Sequence, residues 1–191
     1  MKVLFLDHDG VICLSQQWGS RDKKQRAAGL RFTITEAPVE YRFDNFDKKA
    51  VDVLNSIIEE TDCEIVVSSD WKAWATVGEM GQYYKQQGII KKPIAFTKNL
   101  QNCTIDYNAM TWLKQWDLEQ TRSIEIRQYL YEHPEITHWV AVDDLNMAKE
   151  GLYYSVPFVH EWALDNFVHT PVSNEGIKQL GVKKGILKHL L

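Results

Sequence analysis

The chain has 191 residues, enough for one domain with a sizeable hydrophobic core. Apolar residues make up 45% and charged residues 25%, and the net charge is -4. These values are typical of a soluble globular protein and argue against non-specific nucleic-acid binding over the whole surface. No apolar run approaches the roughly 20 residues of a membrane span, so we expect no membrane partner.

The start of the chain does not predict a secretory leader, because Asp7 ends the first apolar run after a few residues. The three cysteines, Cys13, Cys63 and Cys103, lie far apart and form no CxxC pair. This pattern favours a reducing compartment and packing roles for the thiols. We therefore expect a cytoplasmic protein.

Alternating apolar and amphipathic segments predict the fold. The predicted strands, in chain order, are Lys2–Leu6, Glu64–Ser68, Pro93–Thr97, His138–Val142 and Pro157–Glu161. The predicted helices are Phe46–Thr61, Trp71–Gln87, Arg122–His133, Ser173–Leu180 and Lys183–Leu191. Near-continuous apolarity in the strands indicates burial on both faces. The alternation predicts an α/β fold with a three-layer, doubly wound, Rossmann-like, mostly parallel five-stranded sheet.

Two long connections interrupt this alternation and are predicted to be insertions within a single domain, 1–191. The first, 13–44, is predicted to be a loop or hairpin after the first strand; it holds the charged run Arg21–Arg26 and a segment, Arg31–Phe43, that would form a hairpin broken at Pro38. The second insertion is 98–120. Long excursions of this kind often act as lids or binding loops.

Polar side chains follow three of the predicted strands. They are Asp7, Asp9 and Gly10 after the first strand, Ser68, Ser69 and Asp70 after the second, and Asp143 and Asp144 after the fourth. Ligands in open α/β sheets bind beyond the carboxyl ends of the strands, so the carboxylates are expected to meet there. Their mutual repulsion would raise one or more pKa values unless a cation lies among them. Hard oxygen donors of this kind suit Mg²⁺.

The first pair of acids points to phosphoryl chemistry. Asp7 and Asp9 are two residues apart and would face the same way, whereas His8 would face the opposite way and pack. A carboxylate can attack phosphorus and form an aspartyl-phosphate, while a metal ion neutralises the phosphoryl oxygens. Gly10 would permit a sharp turn and a close backbone approach.

The segments "VLFLDHDG", "IVVSSDW" and "VAVDD", in this order, resemble the haloacid dehalogenase-like (HAD) phosphohydrolases. A calcium loop would need a preceding helix and a later Glu, and neither is found. More narrowly, "FDKKAVDVLNSIIEETDCEIVVSSDWK", "TRSIEIRQYLYEHPEITHWVAVDD" and "HTPVSNEGI" resemble the small HAD domains associated with RNA-repair proteins and the 3′-phosphatase domains of polynucleotide kinases. The resemblance implies a HAD-like fold with small or minimal cap insertions. It leaves out the two insertions, and this chain has "SSDWK" where that subgroup commonly has SSSWR.

The resemblance implies roles for the four acids. Asp7 would be the nucleophile, and Asp9 the general acid that protonates the leaving oxygen and later the base that activates water. Asp143 and Asp144 would bind Mg²⁺ together with Asp7 and the carbonyl of Asp9.

The resemblance also implies a phosphate-binding set. Ser68, with Ser69 beside it, would donate a hydrogen bond to a phosphoryl oxygen. Arg122 matches the position of the family's basic residue, and an arginine there could grip phosphate with two donors. Lys72 and Lys114 remain alternatives for this cation.

Basic residues near the predicted pocket mouth are candidate substrate contacts. Lys72 follows the second strand, and Arg21, Lys23 and Lys24 belong to the charged run after the first strand. They could contact a polyanionic substrate, but a solvated loop is the simpler explanation of the run.

Three functions are compatible with these residues. The first is a Mg²⁺-dependent phosphomonoesterase acting through an aspartyl-phosphate, with a nucleic-acid 3′-phosphate end or a nucleotide as substrate. The second is a small-molecule phosphatase or deoxynucleotidase in which Lys98–Gln120 acts as a lid. The third is a catalytically silent binding protein that keeps the fold. The presence of every required acid favours an enzyme.

Overall fold

A computed structural model describes residues 1–30, 36–100, 117–148 and 163–191. In this part of the chain, five parallel strands form one sheet in the order β3-β2-β1-β4-β5. The strands are β1 Lys2–Leu6, β2 Glu64–Val67, β3 Ala95–Phe96, β4 His138–Asp143 and β5 Phe167–His169. The central position of β1 places the residues that follow it between the ends of β2 and β4.

Helices cover both faces of the sheet. They are α1 Ser20–Ala27, α2 Lys48–Thr61, α3 Val77–Gln87, α4 Asp117–Glu132 and α5 Val182–Leu190. Leu4 and Leu6 of β1 pack in one apolar cluster with residues of α2, α3 and α5, and Val3 and Phe5 pack in a second cluster with α4. This arrangement confirms the predicted doubly wound α/β fold. None of the described helices combines the length and apolarity that crossing a membrane requires.

Four predicted strands are present with small changes in their ends. The predicted strand Pro157–Glu161 lies outside the described residues, and the fifth strand of the described sheet is β5, which was not predicted. Only three residues of β5 pair with β4, and none of them is fully buried, so the segment lacks a long apolar run.

The predicted helix Trp71–Gln87 begins later than expected. A 3₁₀ turn occupies Asp70–Trp74, and α3 starts at Val77 after a capping box in which Thr76 and Glu79 exchange hydrogen bonds. At the other end of the fold, the predicted helix Ser173–Leu180 was wrong in extent, since a 3₁₀ turn covers Gly176–Lys178 alone.

Helix α1 lies where the charged run Arg21–Arg26 was predicted to be a loop. It buries no side chain, so it has no apolar stripe that would predict a helix. The Asp44 carboxylate instead fixes its start by accepting hydrogen bonds from the amides of Gly19 (3.1 Å) and Arg21 (2.6 Å). The described part of the predicted hairpin, 36–43, contains a 3₁₀ turn at Val39–Tyr41 and no strand.

The loop after β1 is held by a distant segment. The Ile177 amide donates to the carbonyl of Val11 (2.9 Å), and the Thr170 hydroxyl donates to the carbonyl of Gly10 (3.3 Å). Gly176 has φ +53, and a Cβ on it would lie under 3.0 Å from the Val11 carbonyl oxygen. Residues 170–177 therefore pack directly beneath the loop that carries the first two acids.

Candidate active site

Three buried or half-buried carboxylates meet at the carboxyl edge of the central strands. Asp7 follows β1, its amide donates to the carbonyl of Val142 in β4 (3.1 Å), and Asp143 ends β4 itself. Carboxylate oxygens of Asp7, Asp143 and Asp144 lie within 4.8 Å of one another. The strand register thus brings together acids that are far apart in the sequence.

Gly10 makes room for one of these acids. Its φ is +67, and a Cβ on it would lie under 3.0 Å from Oδ2, Cβ and Cγ of Asp144. A side chain at this position would therefore add backbone strain and displace the Asp144 carboxylate.

We expect Gly10→Ala to lower the free energy of unfolding by more than Gly19→Ala does. Both glycines have positive φ, so both substitutions add backbone strain of about 1 to 3 kcal/mol. Only the alanine at position 10 meets a neighbour, because a Cβ at Gly19 has nothing within 4 Å. Urea denaturation of the two variants measures the difference, and equal losses would contradict the close packing of Asp144.

Arg122 lies in the second turn of α4 and bridges the acids. Its Nη1 bonds to Asp7 Oδ1 (2.9 Å) and Asp143 Oδ2 (3.0 Å), and its Nη2 bonds to Asp70 Oδ1 (2.8 Å). The guanidinium is buried, and the carboxylates around it compensate the burial of its charge. Arg122 is therefore the basic residue beside Asp7.

The acids carry more negative charge than this one cation offsets. Burial, followed by the nearby Asp143 charge, raises the pKa of Asp7 well above its usual value, although Arg122 acts to lower it. Burial raises the pKa of Asp143 to about 6, again against the effect of Arg122, and burial also raises the pKa of Asp144. The site therefore favours a further positive charge.

Asp9 has a different environment from these three acids. Its carboxylate is not a member of the three-acid group; its Oδ2 accepts a hydrogen bond from Nε1 of Trp71 (2.8 Å). Phe43 and Phe46 stack on Trp71, with ring centroids 4.7 and 5.4 Å away, and fix the indole. Burial raises the pKa of Asp9, and the hydrogen bond from Trp71 acts to lower it. A raised pKa lets this carboxyl group hold a proton more readily than an exposed aspartate does, as a general acid requires.

His8 faces away from the acids, as expected from the alternation of side chains along a strand. Its ring is buried, its Nε2 shares a hydrogen bond with the Tyr84 hydroxyl (2.7 Å), and it packs against Trp71. Burial, with a smaller contribution from Arg122, lowers the pKa of His8 to about 3. His8 is therefore a neutral packing residue.

Two serine hydroxyls follow β2. The Ser68 amide donates to the carbonyl of Leu6 (2.9 Å), the residue before Asp7. Ser68 therefore lies beside the point where Asp7 and Asp9 begin. Its buried Oγ has no hydrogen-bond partner among the described residues. The Ser69 hydroxyl lies near enough to Asp7 to favour the ionised carboxylate, although the two do not form a hydrogen bond of good geometry. Both hydroxyls are available to a ligand.

Lys72 is bound elsewhere. Its ammonium group pairs with the buried Glu125 of α4 and donates to the Thr97 hydroxyl (2.9 Å). Glu125 also accepts a hydrogen bond from the Leu100 amide (2.8 Å). Lys72 therefore ties the turn after β2 to α4, while Arg122 contacts Asp7. Lys114, the other alternative, lies outside the described residues.

A cavity of about 260 Å³ opens beside Asp9. Its lining residues are Asp9, Arg21, Arg42, Phe43, Asp44, Asp70, Trp71 and Trp74. Trp74 is 43% exposed and offers a flat apolar surface, whereas Arg42 is held by Glu79 (2.8 Å). Arg21 is thus the residue of the charged run that reaches this cavity.

The other two residues predicted from the charged run are placed differently. Lys24 donates to the carbonyls of Glu40 (2.8 Å) and Phe43 (3.0 Å), so its ammonium group has a structural role. Lys23 lies on the exposed surface of α1.

Three contacts of the site were not predicted from the sequence, although Asp70 itself was expected at this edge of the sheet. Trp71 bonds to Asp9, Asp70 bonds to Arg122, and Glu125 neutralises Lys72. Asp70 and Trp71 directly follow the serine pair, so their position after β2 was a signal that they lie at the same edge of the sheet. Glu125 had a weaker signal, since it lies within the predicted helix, one turn after Arg122.

A parallel sheet with carboxylates after its central strands agrees with a HAD-like hydrolase. The chain matches the family described as the HAD domain in Swiss Army Knife RNA repair proteins over residues 3–171, and it belongs to that family. No curated protein and no protein of solved structure matches it significantly. Membership implies a phosphohydrolase-type activity in general, and HAD domains typically use Mg²⁺.

Proposed function

We propose that the protein hydrolyses phosphate monoesters through a covalent aspartyl-phosphate on Asp7. The observation that carries this proposal is the bonding of the buried Asp7 carboxylate to Arg122 beside Asp143 and Asp144, at the end of the central strand. The family supports hydrolysis of a phosphate ester in general. The residues around Asp7 support each step of the reaction.

In the first step, a carboxylate oxygen of Asp7 attacks the phosphorus atom. The bond between phosphorus and the ester oxygen breaks, and this oxygen takes the proton of Asp9, whose raised pKa favours the protonated form. Arg122 balances part of the negative charge on the phosphoryl oxygens. The unpartnered hydroxyl of Ser68 donates a hydrogen bond to one of them.

In the second step, water attacks the phosphorus atom of the intermediate. Asp9, now ionised, accepts a proton from this water, and the bond between phosphorus and Asp7 breaks. Inorganic phosphate leaves, and both aspartates return to their starting states. Trp71 keeps the Asp9 carboxylate in place through both steps.

The donors present fit a Mg²⁺ ion. Asp7, Asp143 and Asp144 supply hard carboxylate oxygens close together, and burial raises the pKa of each even though Arg122 acts to lower it. These three side chains would hold the ion together with the main-chain carbonyl of Asp9. When bound, Mg²⁺ supplies positive charge against the phosphoryl oxygens.

We expect Mg²⁺ to raise the melting temperature of the wild type and to have a smaller effect on Asp144→Asn. An ion that binds only the folded state stabilises it by about 2.7 kcal/mol at a concentration of 100 times Kd. Asp144→Asn removes one of the grouped ligands, whereas Asp52→Asn removes an exposed carboxylate on α2. Thermal denaturation with and without Mg²⁺ measures the shift. The same shift in all three proteins would exclude the acid group as the binding site.

We propose that the substrate is a nucleic-acid 3′-phosphate end or a nucleotide. The family's association with RNA repair supports this, and so does a cavity beside Asp9 that offers the exposed Trp74 surface and Arg21. The test is a comparison of kcat/KM, with Mg²⁺, for 3′-phosphorylated oligonucleotides, mononucleotides and sugar phosphates. Faster turnover of sugar phosphates would identify a small-molecule phosphatase. The absence of turnover with every ester would exclude the phosphatase function itself.

A further inference from the structure

The three carboxylates that bind Arg122 differ in their access to solvent. The side chains of Asp7 and Asp143 are 4% and 2% exposed, whereas that of Asp70 is 58% exposed. Asp7 and Asp143 share Nη1 of the guanidinium, and Asp70 holds Nη2. Asp70 is therefore the partner on the solvent side of the arginine.

Asp70 also lines the cavity that reaches Asp9. It begins the 3₁₀ turn that directly follows Ser69, and two contacts hold this turn. The Lys72 amide donates to the Ser69 carbonyl (3.1 Å), and the Lys72 ammonium group is bound to the buried Glu125. The carboxylate of Asp70 thus projects from an anchored turn and lies between Arg122 and the opening.

We propose that Asp70 is a positioning residue that holds Nη2 of Arg122 at the mouth of the site. Its carboxylate competes with phosphate for this nitrogen, and the competition weakens the binding of the phosphate product. This inference rests on the proposed phosphatase function. It concerns the affinity of the site for inorganic phosphate.

The chemistry of the two anions supports this competition. A phosphate group carries between one and two negative charges at neutral pH, and its oxygens seek the same charge-assisted hydrogen bonds from arginine that Asp70 occupies. Phosphate at Asp7 must share the guanidinium with Asp70 or displace it, and the two anions repel each other. Inorganic phosphate is as highly charged as the substrate's phosphoryl group, so an Arg122 without such a competitor would bind the product more tightly. Release of product limits turnover in many enzymes.

Two substitutions separate the charge of Asp70 from its contact with Arg122. Asp70→Asn removes the charge but keeps an oxygen that accepts from Nη2, whereas Asp70→Ala removes both. Glu59→Gln is the control, because it removes an exposed carboxylate from α2. Isothermal calorimetry with inorganic phosphate, in the presence of Mg²⁺, gives the affinity directly and requires no turnover.

We expect the Kd for inorganic phosphate to fall roughly threefold to tenfold in both Asp70 variants and to stay unchanged in Glu59→Gln. With an aryl phosphate as substrate, KM and the inhibition constant of phosphate should fall in parallel. The kcat of Asp70→Ala should lie below that of Asp70→Asn, because the alanine leaves Nη2 unheld. A phosphate affinity equal to or weaker than that of the wild type in both variants would overturn the competition. An absence of ester turnover alongside tighter phosphate binding would reject the proposed function and leave the role of Asp70 standing.

Discussion

Asp7→Asn should reduce the hydrolysis of an aryl phosphate by a factor of about 10⁴ or more, because the proposed covalent intermediate forms on the Asp7 carboxylate. The fold should survive the change. Burial and the Asp143 charge already raise the pKa of Asp7, so loss of its charge relieves repulsion, and the amide oxygen can still accept a hydrogen bond from Arg122. Steady-state kinetics with Mg²⁺ and a urea denaturation curve measure the two effects.

The matched control for this change is Asp52→Asn, which replaces an exposed aspartate on α2 and should keep full activity. Wild-type activity in Asp7→Asn would reject the covalent mechanism. A loss of activity together with a loss of the cooperative unfolding transition would show that Asp7 is needed for folding. The same assay on Asp9→Asn would then test the proposed mechanism through its general acid.

Arg122→Met should lower both stability and activity. Without the guanidinium, Asp7 and Asp143 lose the cation they share in a buried site, and breaking a buried ion pair costs about 3 to 5 kcal/mol. The kcat/KM for a phosphate ester should fall by a factor of about 10² to 10³, as expected for removal of one group that stabilises the transition state. Urea denaturation and steady-state kinetics measure these losses.

Arg127→Met provides a control on the same helix. Arg127 donates to the neutral carbonyl of Ala163 (3.1 Å) and is exposed, so its loss should cost about 1 kcal/mol or less and leave activity unchanged. A similar loss of stability in the two variants would show that Arg122 stabilises α4 through packing and not through the acids. Arg122→Met with normal kcat/KM would exclude this arginine from phosphate binding.

The fold could largely be predicted because its central strands are buried on both faces. Each residue of Val3–Leu6 is fully buried, so β1 reads as a continuous apolar run that identifies a central parallel strand. Segments without such burial gave weaker signals. Helix α1 buries no side chain, and the three residues of β5 are half-buried, so neither has an apolar pattern. The start of α3 was misplaced because Trp71 is apolar and buried in the preceding turn, although Thr76 and Glu79 have the spacing of a capping box.

The acids of the site were predictable because they lie at strand ends, where topology alone brings them together. The charged residues that bind these acids were not predictable in this way, because contacts across a sheet edge depend on the direction of each side chain. Arg122 was placed beside Asp7 only through a family resemblance. The pairing of Asp70 with Arg122 and of Lys72 with Glu125 depends on a 3₁₀ turn that the apolar pattern does not reveal.

The packing of residues 170–177 beneath the loop after β1 sets the order in which the protein can mature on the ribosome. Thr170 lies 160 residues after its partner Gly10. At about 5 to 20 residues per second, roughly 8 to 30 s of synthesis separate the two. The nascent chain therefore carries both aspartates that follow its first strand long before the segment that fixes their loop has been synthesised. The loop that carries these acids can therefore reach its final packing only after residues 170–177 have been synthesised.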